Sequence, residues 1–244
     1  MNNQDSNNRL ISIRKTSEIL GVSLDTLRRW DKSGQFPAIK SPGKHRFYSL
    51  IQIELYRNDL FALAKKWVIA AEALTPQPEF YCQTITVLQD RVIKMGRAIQ
   101  EENKLDWVSL LVSAAGEIGN NSFDHNLGNW PDIPGIFFGY DTKKRVIVLA
   151  DRGQGVLTTL RRVKPTLTTD EDALQTAFTE ILSGRAPEAR GNGLKFVKSI
   201  IDEFPLTLEF FSGEAIASLL SKEKMDLKQP SGISFHGCLA FLKY

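Results

Sequence analysis

The 244-residue chain has little cysteine, little histidine and no long apolar run. Its two cysteines, Cys82 and Cys238, lie far apart without metal-ligand spacing. Reduced thiols are therefore expected rather than a disulfide or a zinc site. No stretch of about 18 uncharged apolar residues occurs, so no helical membrane span is expected. The opening MNNQDSNNRL is polar and lacks an apolar signal core, which gives a cytoplasmic expectation. None of the three histidines falls in residues 49–124. What is present is a hydrophobic content of 42%, normal for a folded globular chain long enough for two modest domains.

The net charge of +3 is unevenly spread. Residues 1–60 hold 10 Lys and Arg against 6 Asp and Glu, while the remainder holds 21 against 22. Nucleic acid contacts are therefore sought at the N-terminus. There, ISIRKTSEILGVSLDTLRRWDKSGQFP reads as helix, tight turn, helix. Gly21 ends the first helix and Ser23 caps the second, with Leu24, Leu27 and Trp30 at helical spacing and Gly34 closing it before Pro37. Thr26, Arg28 and Arg29 project away from that apolar stripe. In AIKSPGKHRFYSL, Pro42-Gly43 turns between two extended pieces, and Lys44, His45 and Arg46 crowd the tip and return strand. An isolated Arg pair would be read as a solvated helix face. With helix, turn, helix and basic hairpin in order, the second helix is expected in a DNA groove and the wing on phosphates. Over residues 11–57, the LRRW, the Gly-Phe-Pro region and the HRFYS wing resemble the DNA-binding domain of MerR and excisionase-like regulators.

Residues 49–74 are helix-prone, TPQPEF interrupts them, and YCQTITVLQDRVIKMGRAIQEEN follows. In this last stretch Ile85, Leu88, Val92, Met95 and Ile99 form one apolar stripe. The stripe must pack either within its own chain or on a second copy, and the MerR resemblance implies the homodimer.

LDWVSLLVSAAGEIGNNSFDH reads as an amphipathic helix in which Glu117, Asn121 and His125, each four apart, form one polar row. Downstream, RVIVLA is a buried strand that delivers Asp151 beside Gly153 and Gly155. SGRAPEARGNGLKFVKSIIDEF then places Gly191 and Gly193 before another amphipathic helix, with Arg185, Arg190, Lys195 and Lys198 adding positive charge. Each Gly cluster alone is an ordinary loop. Together, EIGNNSFDH, DRGQG and RGNGLKFV resemble the three boxes of the GHKL ATPase superfamily, which includes DNA gyrase, Hsp-type chaperone ATPases, sensor histidine kinases and anti-sigma-factor kinases. The resemblance covers residues 104–244. It implies that Asn121 coordinates Mg2+, Glu117 activates water, and Asp151 binds the adenine amino group of ATP. It further implies that Gly153 and Gly155 line the adenine pocket and that Gly191 and Gly193 wrap phosphates. Lys195 stands where many relatives have another glycine, which either weakens phosphate wrapping or puts Lys195 itself on a phosphate. The long lid, residues 156–190, contains a helix expected to open on a Thr168-x-x-Glu171 capping box and to end at Gly184.

The expected architecture is α+β. It comprises a winged helix-turn-helix domain at 1–75, a helical connector at 76–103, and a GHKL-type α/β sandwich at 104–244 with helices on one face of a mixed sheet. The functional reading is a DNA-binding regulator that binds Mg-ATP, with or without hydrolysis. The alternatives are a Ser/Thr protein kinase of the anti-sigma-factor type and an ATPase acting on DNA. A self-phosphorylating histidine kinase is disfavoured, because the helices ahead of the ATP module hold no His acceptor.

Overall fold

A computed structural model describes residues 10–33, 36–57, 59–72, 75–180, 193–229 and 232–244. The chain forms two compact units, residues 1–63 and 64–244.

The smaller unit contains β1 (Leu10–Ser12), α1 (Ile13–Leu20), α2 (Leu24–Ser33), β2 (Ile39–Lys40), β3 (Arg46–Ser49) and α3 (Leu50–Arg57). Ser12 caps α1 by accepting from the Lys15 amide, and Gly21 ends it in the left-handed region at φ 65°. Ser23 Oγ accepts from the Thr26 amide at 3.1 Å and so starts α2. Gly34, the expected closer of α2, lies outside the described residues. The strands pair antiparallel in the order β1-β3-β2. Leu27, Phe36, Tyr48 and Ile53 form the core, and Phe36 stacks on Tyr48 at 5.0 Å. Burying a side chain of this size contributes about 1.5–3 kcal/mol, so this small core depends on each one.

The larger unit begins within α4 (Leu60–Ile69). There follow β4 (Tyr81–Cys82), α5 (Ile85–Asn103), α6 (Val108–Asn126), β5 (Ile136–Asp141), β6 (Val146–Asp151), α7 (Gly155–Leu160) and α8 (Asp170–Thr179). The chain continues as α9 (Gly193–Glu203), β7 (Thr207–Gly213), β8 (Ala215–Leu219), β9 (Asp226–Lys228) and β10 (Phe235–Lys243). The seven strands lie in the order β4-β5-β6-β10-β7-β8-β9.

Here the structure corrects two expectations. Every strand pair in this sheet is antiparallel, so the sheet is not mixed. β6 and β7 run the same way, but the C-terminal β10 inserts between them and converts one parallel pair into two antiparallel ones. Second, α5 belongs to the larger unit rather than to a separate connector. Its Leu88, Val92, Met95 and Ile99 join Leu111, Ala115 and Ile118 of α6 in the main core. The stripe is thus used within the chain and no longer argues for a second copy. On β6, Ile147 and Leu149 face the core shared with α5, α6, α8 and α9, yet the intervening Val148 and Ala150 are buried too. Beyond them, Arg152 Nη1 donates to the Trp67 and Ala70 carbonyls at the end of α4, at 2.7 and 2.8 Å.

Candidate functional site

The polar end of α6 faces the start of α9. Leu111, Ala114, Ala115, Ile118 and Gly119 supply the buried side of α6, and Glu117 and Asn121 fall beside it. A Cβ placed on Gly193 would come within 2.6 Å of Glu117 Oε2 and 3.1 Å of Asn121 Nδ2. A side chain at this position would make Glu117 and Asn121 shift, so glycine suits the close start of α9. Of the expected polar row, Asn121 and His125 line a cavity, whereas Glu117 stands beside Gly193 outside the cavity lining.

β6 carries Asp151 into the wall of that cavity, where the residue is 2% exposed. Its Oδ2 accepts from Ser122 Oγ at 2.7 Å and its Oδ1 from the Gly153 amide at 2.8 Å. Burial pushes its pKa up to about 6, although Ser122 and the Gly153 and Cys238 amides pull it down. The facing strand makes room with a bulge between Phe235 and Cys238. Gly237, at φ 69°, sits where any Cβ would meet the Asp151 carbonyl oxygen at 2.3 Å. Buried Asn126 holds the following loop, donating to the Ser122 carbonyl and accepting from the Gln154 amide, each at 2.8 Å. Its amide nitrogen lies 2.1 Å from where a Cβ on Gly153 would stand. Gly155 starts α7, whose Val156 amide donates to Ser212 Oγ at 3.0 Å.

The cavity has a volume of about 340 Å³. Ile118, Leu149, Val156, Leu160 and Phe210 give it apolar walls, and Asp151, Asn121, Arg162 and Lys195 give it polar points. An apolar cavity with a few converging polar groups is the usual form of a small-molecule site. Lys195, in the first turn of α9, has its pKa lowered by burial and raised by the Glu180 charge. Glu180 in turn accepts from Lys164 Nζ at 2.6 Å. The helix expected in the lid is α8. Its cap is Thr169, which accepts from the Asp172 amide, one residue later than the Thr168 box, and it ends at Thr179. Gly184, Arg185, Arg190 and Gly191 lie outside the described residues.

Sequence reading missed Ser122, Asn126, Arg162 and Gly237. Only Gly237, a glycine inside an apolar strand, carried a local signal, that of a bulge. Cys82 and Cys238 are free thiols. Among the described residues no helix is long and apolar enough to cross a membrane, and no three His, Cys, Asp or Glu side chains gather as a metal site.

In the smaller unit, Arg28 and Arg29 are exposed on α2, and Arg28 pairs with Asp25 at 2.7 Å. Thr26 is partly covered, its hydroxyl 2.9 Å from Ser23 Oγ. At the wing tip the Lys44 amide donates to the Ser41 carbonyl at 2.8 Å across Pro42-Gly43, and Lys44 takes φ 59°. Lys44 and His45 are exposed there. Arg46 differs, because its Nε donates to Asp31 Oδ2 of α2 at 2.6 Å. Lys40 Nζ lies 3.1 Å from the same oxygen, and the Ala38 amide bonds Asp31 Oδ1 at 3.0 Å. Burial works to raise the Asp31 pKa, but Ala38, Arg46 and Lys40 together bring it down to about 2. The Arg46 guanidinium, at the start of the return strand, thus ties the wing to α2.

No curated protein matches the chain. Residues 12–48, from the cap of α1 to the return strand of the wing, match the sequence model described as the MerR family regulatory protein, so the smaller unit carries a MerR-family DNA-binding segment.

Proposed function

We propose that the protein is a DNA-binding transcription regulator, acting in the cytoplasm, whose larger unit binds Mg-ATP in a GHKL-type site. The MerR match supports the regulator. The observation that supports the nucleotide is the Asp151 carboxylate, buried in the wall of an apolar cavity that Asn121, Gly193 and Lys195 also line. A carboxylate oxygen has room for more than one donor, so Asp151 can still accept from the exocyclic amine of adenine. The apolar walls suit the faces of a purine. Lys195 and Arg162 suit phosphate oxygens, and the Gly193 amide opens a helix whose dipole favours anions.

The residues present fit a metal-bound nucleotide. Mg2+ keeps several waters and takes few protein ligands, so Asn121 together with phosphate oxygens would hold it. When bound, the metal would offset phosphate charge. Glu117, which like Asn121 lies near Gly193 at the start of α9, would be the general base that accepts a proton from an attacking water.

The test is equilibrium binding of Mg-ATP followed by turnover on the same sample. Asp151→Asn replaces an acceptor with a donor and should weaken binding at least several-fold, since an unpaired buried polar group costs about 1–3 kcal/mol. Glu117→Ala should keep binding and lose any turnover. Equal Mg-ATP affinity in folded Asp151→Asn would remove the adenine assignment. Undiminished turnover in Glu117→Ala would remove the general base.

A further inference from the structure

We propose that Ser122 is the positioning residue that keeps Asp151 an ionised, fixed acceptor for the base of a bound nucleotide; this rests on the adenine-nucleotide reading above. Three donors reach the Asp151 carboxylate: Ser122 Oγ, the Gly153 amide and the Cys238 amide. Two are backbone groups, so Ser122 is the one that acts through a side chain. It comes from α6, one residue after Asn121, and spans the gap between helix and sheet at 2.7 Å. Around the same cavity stand His125 of α6, Arg162 beyond α7, Glu180 at the end of α8, Lys195 of α9 and the Cys238 thiol of β10. Among the groups that shift the Asp151 carboxyl, the side-chain hydrogen bond is that of Ser122.

The hydroxyl has a second acceptor within reach, the Ile118 carbonyl at 3.5 Å. While Asp151 is ionised, the Ser122 proton goes to Oδ2 and the remaining lone pairs stay open to the ligand. When Asp151 gains a proton, that proton can point to Ser122 Oγ, and the hydroxyl turns to Ile118. The pair thus accommodates both states, but in the protonated state Oδ2 has become a donor and no longer suits an amino group. A ligand amine favours the ionised form. Affinity should therefore fall as pH drops through about 6, the pKa that burial raises and these donors hold down. Removing Ser122 takes away one hydrogen bond to the charged form, which is worth on the order of one pKa unit or more.

The experiment uses the full chain with carbon-labelled aspartate and assigns the Asp151 carboxyl resonance by its loss in Asp151→Asn. Its titration is followed by NMR without nucleotide, and Mg-ATP affinity is measured over the same pH range. In Ser122→Ala, both the carboxyl titration and the pH at which half the affinity is lost should move up by about one unit or more. Ser122→Thr keeps the hydroxyl and should leave both where they are in the wild type. A Ser122→Ala titration that coincides with the wild type, in a protein that still binds Mg-ATP, overturns the proposal. If the titration moves but the wild type binds no Mg-ATP, the nucleotide reading falls and this role for Ser122 falls with it.

Discussion

Arg28, Arg29, Lys44 and His45 stand exposed on the smaller unit, while the residues that define the cavity of the larger unit are drawn from α6, β6, α9 and β10 and include a carboxylate that is 2% exposed. On the proposed reading the first set would contact a long polyanion from outside, which needs little more than a stable helix and hairpin beneath it. The second would enclose a small molecule, which needs a sheet, a bulge and several packed helices before any one side chain has its role. Substitutions in the two sets should therefore differ in kind. In the smaller unit, surface changes should alter affinity and leave stability alone. In the larger unit, changes at buried polar residues should alter both.

The largest effect is expected at Arg152. Its guanidinium is 1% exposed and bonds Asp132 at 2.6 Å as well as the two carbonyls at the end of α4. Asp132 is partly exposed, so the greater cost lies in the unpaired carbonyls and the void. Arg152→Ala should destabilise the larger unit by about 3 kcal/mol or more. Denaturant unfolding followed by tryptophan emission checks this, and a midpoint equal to the wild type would mean that the buried guanidinium matters little.

A smaller effect on stability but a large one on DNA is expected from Arg28→Ala combined with Arg29→Ala. Affinity for a selected DNA site should fall about tenfold or more. If both side chains contact phosphate, the dependence of log K on log salt should flatten by about 2. The Arg28–Asp25 pair is exposed, so its loss should barely change stability. A loss of Mg-ATP binding in the same variant would break the separation of the two sets.

The smallest effect is the acid response of the wing. The folded-state pKa of Asp31 is depressed from 3.8 to about 2. Its contribution is therefore full above pH 3.8 and lost as pH falls through about 2, amounting to about 2 kcal/mol. Asp31→Asn should remove that acid-sensitive part. The check is thermal unfolding of the full chain between these pH values, where identical pH dependence in wild type and variant would contradict the clamp.

The helix-turn-helix and its wing were legible because each step is local. Ser23 to Thr26, Pro42-Gly43 to Lys44, and the Leu27–Trp30 stripe all lie within a few residues of chain. The tie from Arg46 to α2 was not legible for the same reason, since its partner Asp31 is 15 residues away and only the fold brings them together. In the larger unit the polar end of α6 and the Asp151 strand end could be read from pattern. The antiparallel sheet could not, because β10 lies between β6 and β7 only through long-range pairing. Ser122 and Asn126 look like ordinary surface polar residues until α6 is laid against β6. The apolar stripe of α5 showed that it packs on something without saying what.

The most direct test of the central claim compares Mg-ATP with Mg-ITP, which carries an oxygen in place of the adenine amine, on the wild-type chain at pH 8. Asp151 should then be ionised and accept from the amine of ATP, whereas ITP sets an acceptor against a buried acceptor. The account predicts that ITP binds at least several-fold more weakly, in line with about 1–3 kcal/mol for an unpaired buried group, and that Asp151→Asn shrinks the difference. Equal affinity for ATP and ITP, or tighter binding of ITP, would contradict it.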